Sequence, residues 1–230
     1  MKKIGIIIFA RMTSKRFPNK VLATLNNRVT LLELVYNRIR RNFKNISIIV
    51  NTSKNKEDNK IVSLCKKKKI IVFRGSLNNV FDRTKKCLKR HKFKSFVRVN
   101  ADRPFFDVNL MEKMMKIFDK GGFDIITNQL PKSCPKGLAC EIAKSKIFLD
   151  IKKNTLIKSE KEHIFNYFYK KKDKYKIKNY VENFYKKNKS LNLSIDTKKD
   201  FKIAEDFYLK FKNNFYINTK KVINNYKINK

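Results

Sequence analysis

Near the amino end lies an unbroken apolar run, Ile4-Gly5-Ile6-Ile7-Ile8-Phe9, followed at once by Ala10-Arg11-Met12-Thr13-Ser14-Lys15-Arg16-Phe17-Pro18-Asn19-Lys20. Apolar, β-branched residues at successive positions suit a strand buried on both faces, the habit of a parallel sheet covered by helices. The run ends too soon for a membrane span, which needs roughly 18 consecutive apolar residues. Met1-Lys2-Lys3 ahead of it imitates a secretory leader. However, Arg11 interrupts after about seven apolar residues and no small-x-small cleavage pattern follows. A buried strand in a cytoplasmic protein is the better reading.

The loop after this strand holds four cations, Arg11, Lys15, Arg16 and Lys20, with the hydroxyls of Thr13 and Ser14 between them. Open α/β sheets bind their ligands in the crevice at the carboxyl ends of the strands. Like charges crowded there repel unless an anion neutralises them, and a triphosphate is the natural candidate.

Strand-like and helix-like segments then alternate in the manner of a parallel α/β sheet. Leu31 to Ile39 reads as an amphipathic helix capped by Thr30, and Ser47 to Val50 as a strand ending at Asn51-Thr52-Ser53. Lys56 to Lys67 is a second helix, Ile70 to Phe73 a third strand and Val80 to Arg90 a third helix. Phe96 to Val99 is a fourth strand ending in Asn100-Ala101-Asp102. Val108 to Phe118 is the helix after it, capped by Asp107, and Phe123 to Thr127 is a fifth strand. Beyond Leu130 the rhythm changes. A loop from Pro131 to Gly137 precedes a strand of different orientation, Leu138 to Ala143. Ser159 to Tyr169 reads as one helix, Lys170 to Lys174 as a solvated lysine run, Leu191 to Ile195 as a late strand and Lys199 to Phe211 as a helix. One domain is expected: a half at 1–128 that carries the candidate triphosphate loop, a half at 129–215, and a tail helix at 216–230.

A hydrophobic fraction of 42% supports a folded core, and Gly 5 with Pro 4 leaves little room for flexible sequence. Cys65, Cys87, Cys134 and Cys140 show no C-x-x-C spacing, which favours free thiols in a reducing compartment over a zinc site. The net charge of +38 invites a nucleic-acid reading. Against it, the lysines are scattered over the whole chain among abundant asparagine and isoleucine, and no finger, helix-turn-helix or RNP-like motif accompanies them. A positive field that speeds capture of anionic substrates is the expected consequence.

Two carboxylates stand at strand ends. Asp102 lies beside the cationic loop if its strand neighbours the first one in parallel. Asp196, in Leu193-Ser194-Ile195-Asp196-Thr197, ends the late strand ahead of a helix that Thr197 can cap, with Asp200 in its first turn. Each has an ordinary alternative as a cap or turn residue. Asn51 to Ser53 and Arg74-Gly75-Ser76 also sit at strand ends, equally open to turn chemistry or to ligand contacts.

Arg11 and Lys20, with Ser14, Arg16 and Pro18 between them, resemble the opening signature of the sugar-acid cytidylyltransferases, which activate acylneuraminate, KDO and related sugars with CMP. The SpsF-like branch of spore-coat polysaccharide biosynthesis resembles this chain most. Further motifs recur in order over roughly residues 3 to 212. Asn100-Ala101-Asp102-Arg103-Pro104 resembles the branch's Asn-Ala-Asp-x-Pro, and Asp196-Thr197 with Asp200 its Val-Asp-Thr-x-x-Asp. Arg74-Gly75-Ser76 with Asp82-Arg83 resembles its Arg-Gly-Ser…Asp-Arg block. Gly137-Leu138-Ala139-Cys140-Glu141 resembles Gly-Leu-Asp-x-Glu, and Ser159-Glu160-Lys161-Glu162-His163 matches Ser-Glu-x-Glu-His. Thr13 and Asn19 stand where glycines are usual, Arg103 where a small or sulfur residue is common, and Ala139 where an acid is. Asn tolerates the left-handed conformation that glycine otherwise supplies.

The resemblance implies a Rossmann-like nucleotide-diphospho-sugar transferase fold, a mostly parallel sheet flanked by helices. It implies Mg²⁺-dependent transfer of CMP from CTP to an anionic sugar acid with release of pyrophosphate. Arg11, Lys20 and Asp102 would then be catalytic, and Asp102 and Asp196 the metal ligands. Arg11, Ser14, Arg16, Lys20, Asn51 and Arg74 would bind the nucleotide, and Glu141, Glu162 and His163 the sugar. No specific nucleic acid or membrane partner is expected, and a homodimer is admitted. Two other readings stay open: a nucleotidyltransferase of this fold with another base or acceptor, and a non-enzymatic basic nucleic-acid-binding protein.

Overall fold

The first apolar run forms strand β1 (Ile4–Phe9), and the side chains of Ile6, Ile7 and Ile8 are completely buried. It is hydrogen-bonded in parallel on both sides, to β4 (Ser47–Ser53) and to β6 (Ser95–Asn100). The computed structural model describes residues 4–152 and 155–228. The leader-like Met1-Lys2-Lys3 and the last two residues of the expected tail helix lie outside these.

With β5 (Ile71–Gly75), β7 (Ile125–Thr127), β8 (Glu141–Lys144) and β9 (Ile177–Asn179), the sheet has seven strands in the order β5-β4-β1-β6-β8-β7-β9. β8 alone runs antiparallel, wedged between β6 and β7. Both sequence halves therefore share one sheet. The chain passes from β1 outward to β4 and β5, then returns to the other side of β1 as β6. The order reverses between β1 and β6, so a crevice opens there at the carboxyl ends of both strands.

Alternate residues of β1 face opposite sides, as strand geometry requires. Ile6 and Ile8 join a core with the helices α1 (Leu31–Asn42), α2 (Asn59–Lys67), α4 (Val108–Asp119), α9 (Lys198–Lys210) and α10 (Thr219–Ile228). Ile7 faces a second core, rich in phenylalanine, beneath α3 (Val80–His91), α5 (Ser145–Leu149) and α7 (Asn166–Lys170). There Phe148 lies 4.6 Å from Phe168 and 5.0 Å from Phe96, ring centre to ring centre. Thr30 caps α1 through a reciprocal pair with Glu33, and Asp107 caps α4, as their sequences predict. The tail helix starts at Thr219 rather than Tyr216, and it is anchored because Val222 and Ile223 are wholly buried.

Other elements also differ from expectation, among them the strand expected from Leu138, which begins only at Glu141. The helix expected over Ser159 to Tyr169 is two, α6 (Lys158–Glu162) and α7, because the backbone leaves the helical region at His163 with φ −102° and ψ 86°. The break lets Ile164, Phe165 and Phe168 all reach the phenylalanine core. The late strand expected at Leu191 to Ile195 joins no sheet: it bends at Ser194 and makes an isolated bridge from Asn192 to Lys136. Leu193 N–H bonds Lys136 O at 2.8 Å while Ile195 N–H bonds Asp102 O at 2.9 Å, so its rungs are split between two segments. Lys56 to Lys67 opens as a 3₁₀ turn, and α2 begins only at Asn59. A small hairpin of β2 (Thr24–Leu25) and β3 (Val29–Thr30) turns at Asn26 and Asn27, both at positive φ, and α8 (Asn183–Lys187) follows β9.

Candidate active site

The loop after β1 is shaped by its own backbone and by one buried acid. Ser14 N–H and Asn19 N–H both donate to Met12 O, at 2.9 and 3.0 Å. Asn19 adopts φ 61°, the left-handed conformation anticipated there, whereas Thr13 keeps negative φ and needs no glycine. Asp58, fully buried, accepts from Met12 N–H at 2.7 Å and from the N–H and hydroxyl of Ser53. It staples the cationic loop to the end of β4.

This folding turns Lys20 inward. Its ammonium donates to Asp102 Oδ2 at 2.6 Å, to Ile195 O at 2.6 Å and to Asp196 Oδ1 at 3.5 Å. An ammonium has three N–H donors, and all three are thereby engaged. As placed, Lys20 bridges the two strand-end acids. The two acids meet because the Ile195 N–H rung to Asp102 O draws the segment around Asp196 alongside the end of β6.

Asp196 is further held by Arg16 Nη2 at 3.2 Å and by Lys136 Nζ. Burial alone would raise its pKa, but Lys136, Lys20 and Arg16 outweigh that and hold it below the usual carboxylate value. The segment is fixed behind it. Thr197 caps α9, and Asp200 accepts from the N–H groups of both Asp196 and Thr197. Asp200 thus anchors the turn that carries Asp196 rather than merely decorating the helix. Gly137, at φ +100°, packs so closely on the Leu193 backbone that a Cβ would lie 2.6 Å from its carbonyl carbon. Only glycine lets the Lys136 loop sit against the segment leading to Asp196.

Arg11 Nη2 reaches Glu162 Oε1 at 3.0 Å, tying the cationic loop to the end of α6, and this pairing lowers the Glu162 pKa. His163 lies exposed at the break that follows. Glu141 is buried on β8, where Arg98 Nη1 and the Tyr169 hydroxyl each donate to it at 2.6 Å. Both of its oxygens are committed, so as placed it is a strut that ties β8 to β6 and to Tyr169. Arg74 donates to Ser53 O and Asn55 O at 2.9 and 3.0 Å and so braces the end of β4. Asn51 is sealed inside the sheet opposite Phe9 and Phe73, because β4 runs on to Ser53. Its amide has no partner among the described residues, and it offers no atom to a ligand as placed. Arg83 is buried nearby, and that burial pushes its pKa down to about 10. All four cysteines are free and buried, and burial pushes Cys65 and Cys134 up to about 11.

Sequence reasoning missed Asp58, Lys136, Arg98 and Tyr169. Asp58 carried a faint signal as one of two adjacent acids, with Glu57, in a turn after a buried strand. The other three act through contacts that no local pattern announces.

Two carboxylates converging on one ammonium are a hard-oxygen donor set. Mg²⁺ commonly takes one or two carboxylates and completes its shell with phosphate oxygens and water, and Asp102 with Asp196 fits that demand. Among the described residues no group of three or more His, Cys, Asp or Glu converges to cage an ion completely.

A family model described as cytidylyltransferase matches residues 5–222. An uncharacterized protein of Methanocaldococcus jannaschii is 35% identical over 94% of this chain and 85% of its own length. The spore coat polysaccharide biosynthesis protein SpsF of Bacillus subtilis is 29% identical over 91% of this chain and 88% of its own. A solved cytidylyltransferase from Leptospira borgpetersenii superposes with a TM-score of 0.91 at 25% identity, covering 100% of this chain and 95% of that one.

Proposed function

The chain belongs to the cytidylyltransferase family, and from that premise we propose that it transfers CMP from CTP to an anionic sugar acid, with Mg²⁺, releasing pyrophosphate. The observation that carries the proposal is the meeting of Asp102 and Asp196 at the β1/β6 reversal, beneath the exposed cations Arg11, Arg16 and Lys136. SpsF's role in polysaccharide biosynthesis supports a sugar product destined for a surface polysaccharide. Cytoplasmic placement goes with the proposal, and among the described residues no helix is long and apolar enough to cross a membrane.

The acceptor hydroxyl attacks the α-phosphorus in line; the new O–P bond forms as the bond to the oxygen bridging to the β-phosphate breaks, pyrophosphate leaves, and the hydroxyl proton is released to water. Asp102 and Asp196 would hold the metal, which when bound neutralises charge on the phosphate oxygens. Lys20 fixes the spacing of these two acids. Arg16 and Lys136 are more than half exposed at 64% and 51%, so rotation about their side chains can turn them from Asp196 toward the leaving pyrophosphate. Arg11 and Ser14 belong to the loop after β1, and Glu162, with His163 next to it in sequence, meets that loop through Arg11 from the acceptor half.

A thermal-shift panel of CTP, UTP, GTP and ATP with Mg²⁺, followed by pyrophosphate release across several sugar acids, tests the reading. Stabilisation by CTP and acid-dependent release are expected. Stabilisation by a different nucleotide alone would reassign the base. Salt-sensitive nucleic-acid binding with no nucleotide stabilisation would replace the enzyme by a basic binding protein.

A further inference from the structure

Arg103 follows Asp102 directly beyond β6, and its Nη1 donates to the Ala139 carbonyl at 2.5 Å. That is the one hydrogen bond its side chain makes among the described residues, and no carboxylate there pairs with it. A guanidinium carries five N–H donors in a rigid fork, so most of this fork is unused. The nearby acids are already taken. Asp102 is bonded to Lys20 at 2.6 Å, and Glu141 is divided between Arg98 and Tyr169. Arg98 adds a second positive charge close by.

The position of the fork narrows its use. Arg103 lies on the β6–β8 side of the reversal, against the loop that ends at Ala139 and Cys140. The loop after β1 is tied through Asp58 to the end of β4, on the β1 side of Asp102. A partly buried guanidinium with unfilled donors, next to the candidate reaction centre and on the β6–β8 side away from the loop that follows β1, is suited to a planar anion.

We propose that Arg103 receives the carboxylate of the acceptor sugar and thereby selects acidic over neutral acceptors. This rests on the cytidylyl-transfer reading and adds to it a specificity-determining residue. The fork grips the two carboxylate oxygens while the Ala139 carbonyl holds its other edge in place. Ala139 contributes only backbone and a methyl group, so no acid competes there for the guanidinium.

The test uses the full chain with Mg²⁺ and compares wild type, Arg103→Met and Arg103→Lys. Binding of N-acetylneuraminate, of KDO and of their methyl esters is measured by calorimetry, and CTP stabilisation by thermal shift. Circular dichroism confirms that each variant is folded. Wild type should bind at least one acid in preference to its ester. Arg103→Met should weaken that acid about 10–100-fold, the range of a charge-assisted bidentate contact, with a smaller loss for the ester. Arg103→Lys, which keeps the charge but not the fork, should fall between. Equal binding of the acid by wild type and Arg103→Met overturns the assignment, as does wild type that binds neither acid. If Arg103→Met instead loses CTP stabilisation and keeps acid binding, the fork serves the triphosphate and the proposal fails. Absence of CTP stabilisation in wild type defeats the cytidylyl-transfer reading itself, a result separable from all of these.

Discussion

Lys20 and Asp102 stand 82 residues apart in sequence, yet the lysine ammonium lies 2.6 Å from the aspartate carboxylate, with side chains only 10% and 22% exposed. The same ammonium reaches Asp196 at 3.5 Å, so one buried cation holds two acids at a shared centre. Without it, two negative groups would face each other in a poorly solvated cleft.

Lys20→Met should therefore cost stability on the order of 2–4 kcal/mol. Asp196 retains Arg16 and Lys136, while Asp102 has no second ion pair among the described residues. Mg²⁺ should restore more of the melting temperature in this variant than it adds to wild type, because an ion shared by both acids replaces the missing charge. Thermal melts with and without Mg²⁺ check this; identical shifts in the two proteins would separate Lys20 from the metal site.

Asp102→Asn keeps the size of the side chain and an oxygen for Lys20 but removes the negative charge. Pyrophosphate release should fall by at least about 100-fold, the scale of losing one electrostatic stabiliser of a transition state. The circular dichroism spectrum should be unchanged. Near-normal turnover would remove Asp102 from the metal assignment.

The pH dependence follows from Asp196. Its pKa in the folded chain lies below the ordinary 3.8, because three cations outweigh the effect of burial. A carboxylate depressed on folding contributes stability that is fully present above its unfolded pKa and lost as pH falls through the folded value. Melting temperature should hold on descent toward pH 4 and drop below about that point. Lys136→Ala should raise the Asp196 pKa and shrink the acid-limb contribution. A carboxyl-resolved NMR titration reads this directly; an unmoved Asp196 would show that Lys136 does not govern it.

The parts of the fold that were legible in the sequence were the local ones. β1 announced itself because burial on both faces leaves no polar alternation, and Asp102 because an acid directly beyond a strand lies in the ligand crevice of such sheets. The Thr30 and Asp107 caps were equally local. The late segment misled because Leu191, Leu193 and Ile195 alternate like a strand, whereas their backbone partners are divided between the Lys136 loop and Asp102. The turn at His163 was hidden because α6 and α7 together keep helical spacing. Lys20 illustrates the limit best. Its motif marked it as functional, but the direction of its side chain depends on Asn19 taking left-handed φ and on Asp58 pinning Met12. No residue pattern around Lys136 or Tyr169 foretells contacts 60 and 28 residues away.

Asp58 provides the sharpest test of how the loop is held. It is completely buried and accepts from Met12 N–H at 2.7 Å and from Ser53 N–H at 3.0 Å, besides the Ser53 hydroxyl. Asp58→Ala leaves those donors without a partner in a dry site, at about 1–3 kcal/mol for each unsatisfied group. The melting temperature should drop by several degrees. Asp58→Asn keeps one acceptor oxygen and should recover part of that loss. The functional consequence is distinct from the stability loss. Met12 lies next to Arg11 and anchors the turn that directs Lys20 inward, so loosening it should raise the KM for CTP more than it lowers kcat. Measuring both constants well below the melting point of each variant separates the two effects. A lowered melting temperature with an unchanged KM would make Asp58 a support of the fold alone, with the phosphate-side loop shaped by its internal hydrogen bonds to Met12 O.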